Sequence, residues 1–500
     1  MRVVIRADAD DRIGGGHFVR CAALASALHA LGAHVTLATT PVLPALTADL
    51  DPGVIVLPLP ARHPDPRDLA SVLELLSDAD WVVVDGYYFD AAYRRALSDS
   101  QARVAVIDDL ADQGPYTEDL VVNQGPGAWH LPYEGTRETR FLLGLSFALL
   151  RPEFTASSGA AHPKVRHQTE GLRLLVTMGG SDPANRTGVV LGALEQLGDR
   201  RLRTTVVIGA ANAHADILRV HIGQMALAGH QIQAVTADGR KMADLMNGAD
   251  LSVSNAGGTL WELACCGVAP IAELAAANQA LNGQLASQLG LAVVLDGVPT
   301  RDALADAIAT VSAGDALRER LARRGRARVD GRGSERVARA IVAGARDWSI
   351  RPVTPADVEA IWQINSDPTV RAMSHSTEPI PFEQHEQWYE RTLADKDRCL
   401  FVAERDGMVA GLIRYDRDAD HALVSLAIAA AYRSRGLATR LFISTFRAAC
   451  TTLGVTLVEA LVFDENPGSA RALFKAGYSD AGTREVRGRR CRVISRRLEG

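Results

Sequence analysis

Ile13-Gly14-Gly15-Gly16-His17-Phe18-Val19-Arg20 follows an apolar run, Val3-Val4-Ile5, and an Asp-rich turn, and leads into a segment carrying Ala22, Leu24, Ala25 and Leu28. A strand, a glycine loop and an amphipathic helix in that order open a parallel α/β sheet. Glycine at positions 14, 15 and 16 removes side chains where a ligand would approach the backbone. The start of the helix offers unpaired amides and a partial positive charge, which suit a phosphate. His17 lies on the same turn, where the helix dipole favours a neutral imidazole, so it is a candidate general base.

Working outward, 500 residues imply about three domains. The apolar fraction of 47% and charged fraction of 23% are those of a globular protein. A net charge of -5 without a basic run argues against a nucleic-acid partner. Apolar runs fall short of the roughly 18 residues a membrane span needs, and a strand at the first residues leaves no signal peptide, so a cytoplasmic location is expected. Cys21, Cys265, Cys266, Cys399, Cys450 and Cys491 show no metal-ligand spacing, and the vicinal pair reads as buried packing.

Short apolar runs alternate with helical patterns along most of the chain. In the first cycle the predicted strands are Arg2–Arg6, His34–Ala38, Val54–Leu57, Trp81–Asp85, Arg103–Ile107 and Leu120–Val122. A small, polar stretch from Thr155 to Pro163 reads as a linker. In the second cycle they are Leu172–Val176, Thr205–Ile208, Ile232–Ala234, Leu251–Ser254, Ala269–Ala272 and Ala292–Leu295, ending in an Arg-rich helical stretch broken near Gly331-Arg332-Gly333. These imply two Rossmann-like lobes, 1–155 and 164–346, facing a cleft. From 348 to 500 the texture becomes that of an α+β domain, with antiparallel strands feeding a central helix from Gly436 to Leu453.

Further loops carry chemistry. Asp85-Gly86-Tyr87-Tyr88 ends a candidate central strand, and the Tyr87 phenol is placed to donate to a leaving phosphate or orient a sugar. Gly179-Gly180-Ser181-Asp182 repeats the glycine-loop logic, with Ser181 a candidate phosphate donor. Ser254-Asn255-Ala256-Gly257-Gly258 opens a third helix. Its glycine amides are candidates for a pyrophosphate, Glu262 for ribose hydroxyls, and Asn278-Gln279 for sugar substituents. Asp8, Asp10 and Asp11 lie in a turn that reads as a cap for the next helix rather than a cation site, and no metal is expected.

Together, Arg6-Ala7-Asp8-Ala9, the Gly14-Gly15-Gly16-His17 loop and Arg20 resemble the UDP-2,4-diacetamido-2,4,6-trideoxy-β-L-altropyranose hydrolases of pseudaminic acid biosynthesis, over about residues 1 to 345. That family is similar to the UDP-GlcNAc transferase of peptidoglycan synthesis. The resemblance implies a GT-B fold with UDP held mainly by the second lobe. It maps the active-site histidine to His17, the Asp-x-Tyr tyrosine to Tyr87 and the uridine-binding glutamate to Glu262. It implies hydrolysis at the anomeric carbon with release of UDP.

In the last domain, Tyr432-Arg433-Ser434-Arg435-Gly436-Leu437-Ala438 lies between a strand and a helix, offering free amides flanked by guanidinium groups. Asn466-Pro467-Gly468-Ser469 opens the next helix. This order resembles the GNAT acetyltransferase superfamily over residues 348 to 500. The resemblance implies acetyl-CoA as acetyl donor, its pyrophosphate on 433–438, its pantetheine along the strand ending at Ile428, and contacts from Asn466 and Ser469. The tyrosine that many members place seven residues after the Asn is Leu473 here, so the usual general acid is missing. Glu404, His375 and Tyr415 are candidates for proton handling.

The expected protein is a bifunctional enzyme acting on small molecules, a UDP-sugar and acetyl-CoA, with no reading of oligomeric state. It would N-acetylate a UDP-4-amino-sugar and then strip the UDP. The alternatives are a GT-B glycosyltransferase that uses an acceptor, and a non-catalytic CoA-binding or docking role for the last domain.

Overall fold

Residues with near-continuous apolar runs form strands covered on both faces, and the helices between them supply the covering layers. In the computed structural model, which describes residues 1–9, 15–42, 44–47, 50–136, 138–158, 171–198, 202–236, 239–274, 279–344, 347–374, 377–486 and 488–498, these runs build three sheets. The first contains β1 (Arg2–Ala7), β2 (His34–Thr39), β3 (Val54–Pro58), β4 (Trp81–Asp85), β5 (Arg103–Ile107), β6 (Leu120–Asn123) and β7 (Arg140–Leu143). Its order is β3-β2-β1-β4-β5-β6-β7, all parallel. The second contains β8 (Arg173–Thr177), β9 (Arg203–Val207), β10 (Gln231–Val235), β11 (Leu251–Asn255), β12 (Ala269–Glu273) and β13 (Val293–Leu295), again parallel, in the order β10-β9-β8-β11-β12-β13. Both are doubly wound sheets, and their succession is the GT-B arrangement. The last helix of the second cycle, Gly333–Val342, crosses back to pack on the helix Gly16–Ala30 of the first.

The third sheet is mixed. It comprises β14 (Ser349–Pro352), β15 (Arg398–Arg405), β16 (Met408–Asp418), β17 (His421–Ile428), β18 (Leu457–Phe463), β19 (Ser479–Val486) and β20 (Arg489–Arg497). Its order is β14-β15-β16-β17-β18-β20-β19, antiparallel except for β17 with β18. Those two strands pair only from His421↔Leu457 to Leu423↔Glu459. Beyond that point β17 stays with β16 while β18 stays with β20, so the sheet opens into a wedge ending at Ile428. Alternate side chains of β16 face opposite layers. Tyr415 meets Thr445 on the central helix Leu437–Leu453, and Arg414 lies over the Trp388 ring on the helix Phe382–Ala394.

By contacts the chain divides into one unit of Met1–Ala128 with Glu138–Gly344, and a second of Trp129–Arg137 with Ala345–Gly500. The connection between β6 and β7 thus contributes nine residues to the C-terminal unit, which no local sequence signal announces. The predicted linker also changes: Pro152–Ser158 is helical and packs on the helix Gly258–Cys266, while 159–163 lie outside the described residues. Strand β7 and the β19–β20 hairpin are additions to the sequence reading. The first is only four residues long, and the second is dominated by charged and small residues. Cys265 and Cys266 are buried as expected, burial raising the Cys265 thiol pKa to about 12.

Candidate functional sites

In the first sheet the connections leave β1 and β4 in opposite directions, so a crevice opens beyond the carboxyl ends of these neighbours. The Gly15-Gly16-His17 turn follows β1, and Asp85 is the last residue of β4. His17 Nδ1 lies 2.7 Å from Asp85 Oδ1. Arg20, one turn along the helix, donates to both Asp85 oxygens at 2.6 and 2.7 Å and to Asp109 at 2.8 Å. Burial alone would raise the Asp85 carboxyl, but the Arg20 guanidinium and His17 outweigh it and hold it well below the usual carboxylate range. An ionised carboxylate only accepts, so of the two neutral tautomers it favours the one with the proton on Nδ1 and the lone pair on Nε2. Among the described residues none hydrogen-bonds to Nε2.

Tyr87 stands edge-on to the His17 ring, centroids 4.7 Å apart, and donates its hydroxyl to Asp109 at 3.0 Å. Burial and the Asp109 charge raise its phenol pKa, so it stays a donor. Its proton is therefore engaged by Asp109 rather than pointed freely at a phosphate. The helix Gly16–Ala30 has Gly15 at its N-cap without a side-chain cap, and a Cβ on Gly16 would meet nothing within 4 Å. Gly14 lies outside the described residues, as do Asp10 and Asp11. Asp8 caps nothing on that helix. It is fully buried against Arg6 and accepts from Thr40 N and the Tyr88 hydroxyl, both at 2.8 Å.

The second lobe repeats the geometry between β8 and β11. The two glycine loops there have different fates. Beyond β8, Asp182 turns its carboxylate onto the amides of Arg186 and Thr187, at 2.7 and 2.9 Å, at the start of the helix Arg186–Leu197. That helix end is already satisfied by a negative charge, so the expected phosphate site at Gly180-Ser181 is not formed by the helix dipole. Gly180 is instead exposed, with its carbonyl so near Gly209 that a Cβ there would come within 2.1 Å. Beyond β11, the helix Gly258–Cys266 begins at Gly257 with no side-chain cap, and a Cβ on Gly258 would meet nothing within 4 Å. This is the open helix N-terminus of the lobe. Asn255 ties the two loops together through Nδ2 to Met178 O at 2.9 Å, leaving Oδ1 buried without a partner among the described residues. A Cβ on Gly257 would lie 3.6 Å from Gln279 Nε2, which places Gln279 at this helix start. Asn278 lies outside the described residues.

Glu262, one turn into the helix, is pulled two ways. Burial raises its pKa while Arg151, 3.3 Å away, lowers it, and the net direction is upward. Its carboxylate thus meets an arginine of the same unit. The sequence reading passed over Asp109 and Asp85 as partner of His17, and quoted Arg20 in the resemblance without a role. The signal was an aspartate closing the apolar run Trp81-Val82-Val83-Val84.

In the C-terminal unit the helix Leu437–Leu453 starts at Gly436, whose φ of +82° favours glycine, with no side-chain cap and open space around its Cβ position. The flanking arginines do not surround that opening as expected. Arg433 donates from Nε to Ile428 O at 3.1 Å and pairs with Asp367 at 2.5 Å, and Arg435 lies 5.3 Å over the Tyr432 ring. Leu437 is buried as the first residue of the helix, with Ala438 following it. Asn466 caps the helix Pro467–Lys475 by accepting from Ser469 N at 3.2 Å. Leu473 is 1% exposed and so packs in the core. Two proton-handling candidates are already engaged within the unit. Tyr415 is fully buried and bonded to Thr445 at 2.8 Å, and Glu404 is paired with Arg351 at 2.7 Å. His375 lies outside the described residues.

Fold and site thus define a two-lobed α/β unit of the GT-B arrangement joined to an α+β acetyltransferase unit. Residues 349–479 match the acetyltransferase (GNAT) domain family. The spore coat polysaccharide biosynthesis protein SpsG of Bacillus subtilis (strain 168) is 25% identical over 248 residues, 49% of this chain and 70% of that protein. Among solved structures, MurG of Acinetobacter baumannii aligns over 69% of this chain and 99% of its own at 17% identity, with a TM-score of 0.49. AAC(6')-Ib in complex with ribostamycin and coenzyme A aligns over 30% of this chain and 94% of its own at 16% identity, with a TM-score of 0.28. Among the described residues, no helix is long and apolar enough to cross a membrane, and no cluster of three or more His, Cys, Asp or Glu is placed to hold a metal.

Proposed function

We propose that the chain is a bifunctional enzyme of nucleotide-sugar metabolism whose N-terminal unit hydrolyses the glycosidic bond of UDP-2,4-diacetamido-2,4,6-trideoxy-β-L-altropyranose. The observation that carries this is the His17–Asp85 pair at the switch point of the first sheet. Nε2 takes a proton from a water, the water oxygen bonds to the anomeric carbon, and the bond from that carbon to the diphosphate oxygen breaks. Asp85 holds the imidazolium that forms, which supports base catalysis worth roughly 10²–10⁴-fold. UDP leaves towards the uncapped start of the Gly258–Cys266 helix, whose dipole favours the growing negative charge. The similarity to a protein named for spore coat polysaccharide biosynthesis supports a role in supplying a polysaccharide sugar. Placing a carboxylate at that helix start tests the diphosphate position. Gly258→Asp has room for its side chain, so it should fold normally yet weaken UDP binding about tenfold or more, read by titration calorimetry.

The C-terminal unit, on the same proposal, N-acetylates the UDP-4-amino-sugar precursor. Acetyl-CoA is the acetyl donor. The free amides at Leu437 and Ala438 suit its pyrophosphate, and the unpaired edge of β17 beyond Leu423 suits the amides of its pantetheine arm. Arg433 acts by holding the loop against Ile428 and Asp367. Gly436→Trp fills the open space at the helix start and should abolish CoA binding while leaving UDP release from the preformed diacetamido UDP-sugar intact.

The deciding experiment incubates the chain with a panel of UDP-4-amino-sugars and acetyl-CoA and identifies products by mass spectrometry. Expected products are CoA, UDP and a free diacetamido sugar. UDP release that appears only when a sugar acceptor is added would replace the hydrolase by a glycosyltransferase.

A further inference from the structure

Strand β17 is fourth in the order of a seven-stranded sheet, yet Ser425 in its middle is exposed. The two faces of the strand differ. Val424 pairs with Tyr415, which turns to Thr445 on the central helix Leu437–Leu453, and that helix covers β15, β16 and β17. Ser425 pairs with Arg414 and so points the other way, to the face where Arg414 lies over the Trp388 ring. Leu423 shares this open face, as does Glu459, its partner on β18 at the closed end of the wedge. Glu459 is held from one side only. Arg484 on β19 donates to its Oε2 at 3.1 Å, and His421 Nε2 lies 3.7 Å from the same oxygen. Among the described residues none hydrogen-bonds to Oε1.

The pyrophosphate of acetyl-CoA is assigned to the amides of Leu437 and Ala438, past the Ile428 end of the wedge. From there the pantetheine arm runs back along the free edge of β17. It has about a dozen bonds between phosphate oxygen and sulfur, the reach of about four residues of extended chain. Counting back that far from Ile428 leads to Val424, beside Ser425 and one position short of Leu423. The thioester carbon therefore falls at the closed end of the wedge, where β18 stands about 4.8 Å from β17 and carries Glu459. The central helix closes one face there, so the acceptor enters across Ser425. An aliphatic amine near neutral pH is mostly an ammonium ion and must lose a proton before it attacks. We propose that Glu459 is a catalytic residue of the acetyl transfer, its Oε1 binding the acceptor ammonium on the Ser425 face and taking that proton. The freed nitrogen bonds to the thioester carbon, the carbon–sulfur bond breaks, and the surplus proton on nitrogen passes to the departing thiolate. Glu459 then gives its own proton to water. The inference rests on the acetyltransferase reading of this unit.

The test follows CoA thiol release by the full chain with a UDP-4-amino-sugar as acceptor, for wild type, Glu459→Gln and Ser425→Phe. Glu459→Gln keeps the side-chain shape but takes up no proton. It should lower kcat/KM for the amine about 10²-fold or more at neutral pH, with the Kd for acetyl-CoA within about twofold. The deficit should shrink as pH rises past the pKa of the amine itself, because a free amine needs no base. A merely structural role would leave the deficit constant. Phenylalanine suits a strand, so Ser425→Phe should fold, cover the open face and raise the KM for the amine about tenfold or more. An unchanged kcat/KM in Glu459→Gln, a deficit that is the same at every pH, or an unchanged amine KM in Ser425→Phe overturns the assignment while the acetyltransferase reading stands. Wild type that acetylates no amine overturns that reading, and the assignment with it.

Discussion

His17→Asn should lower UDP release by about 10²–10⁴-fold while leaving the Kd for UDP within a few-fold of wild type. The base is Nε2, and an amide in its place accepts no proton, whereas the diphosphate is assigned to the Gly258–Cys266 helix in the other lobe. Asp85→Asn should cost a comparable amount by another route. Its amide nitrogen would donate where Asp85 now accepts, favouring the tautomer with the proton on Nε2. In a histidine–aspartate pair of this kind the loss is on the order of 10⁴-fold. Because Arg20 also binds Asp85, the Asn variant needs a melting curve beside its kinetics. Full turnover in His17→Asn would rule out the histidine as base, and loss of UDP affinity equal to the loss of rate would assign it to binding.

The largest effect on stability is expected at Arg6, next to the last residue of β1. Its side chain has no exposed surface and is shared between Asp8 and Asp68, which are equally buried. Asp68 is itself held by the Tyr93 hydroxyl at 2.6 Å, and Asp8 by Tyr88 at 2.8 Å. Arg6→Leu leaves two buried carboxylates without the guanidinium they share, Asp8 keeping only the partly exposed Arg62 at 3.4 Å. Breaking a buried pair from one side costs about 3–5 kcal/mol. Urea unfolding followed by tryptophan fluorescence should show a loss of that size, and a loss below about 1 kcal/mol would mean that water reaches the cluster. Acid acts on the neighbouring Asp85 with a definite sign. Its folded pKa lies below the unfolded value near 3.9, so its contribution is fully present above that value and is lost as pH falls through the folded pKa.

Much of the architecture was legible because it is local. Trp81-Val82-Val83-Val84 can only be a strand covered on both faces, and three glycines before an amphipathic pattern mark a strand-to-helix turn. The central helix of the C-terminal unit begins at Leu437, one residue after the predicted Gly436. The candidate sites were legible in position but not in partnership. His17 was singled out without Asp85, 68 residues away, and Ser181 was offered to a phosphate with no role read for Asp182. Arg433 was read as a pyrophosphate ligand, whereas Asp367, 66 residues earlier, takes its guanidinium.

By itself, then, the sequence determined two doubly wound lobes, an α+β domain after them, and four glycine-marked helix starts. Backbone conformation and apolar periodicity are set by residues a few positions apart, so they can be read along the chain. Which helix starts stay open, which histidine nitrogen keeps its lone pair, and which unit takes Trp129–Arg137 were decided only by tertiary structure. Those outcomes depend on charges brought together by strand order, and a buried carboxylate binds whichever donor the fold places beside it.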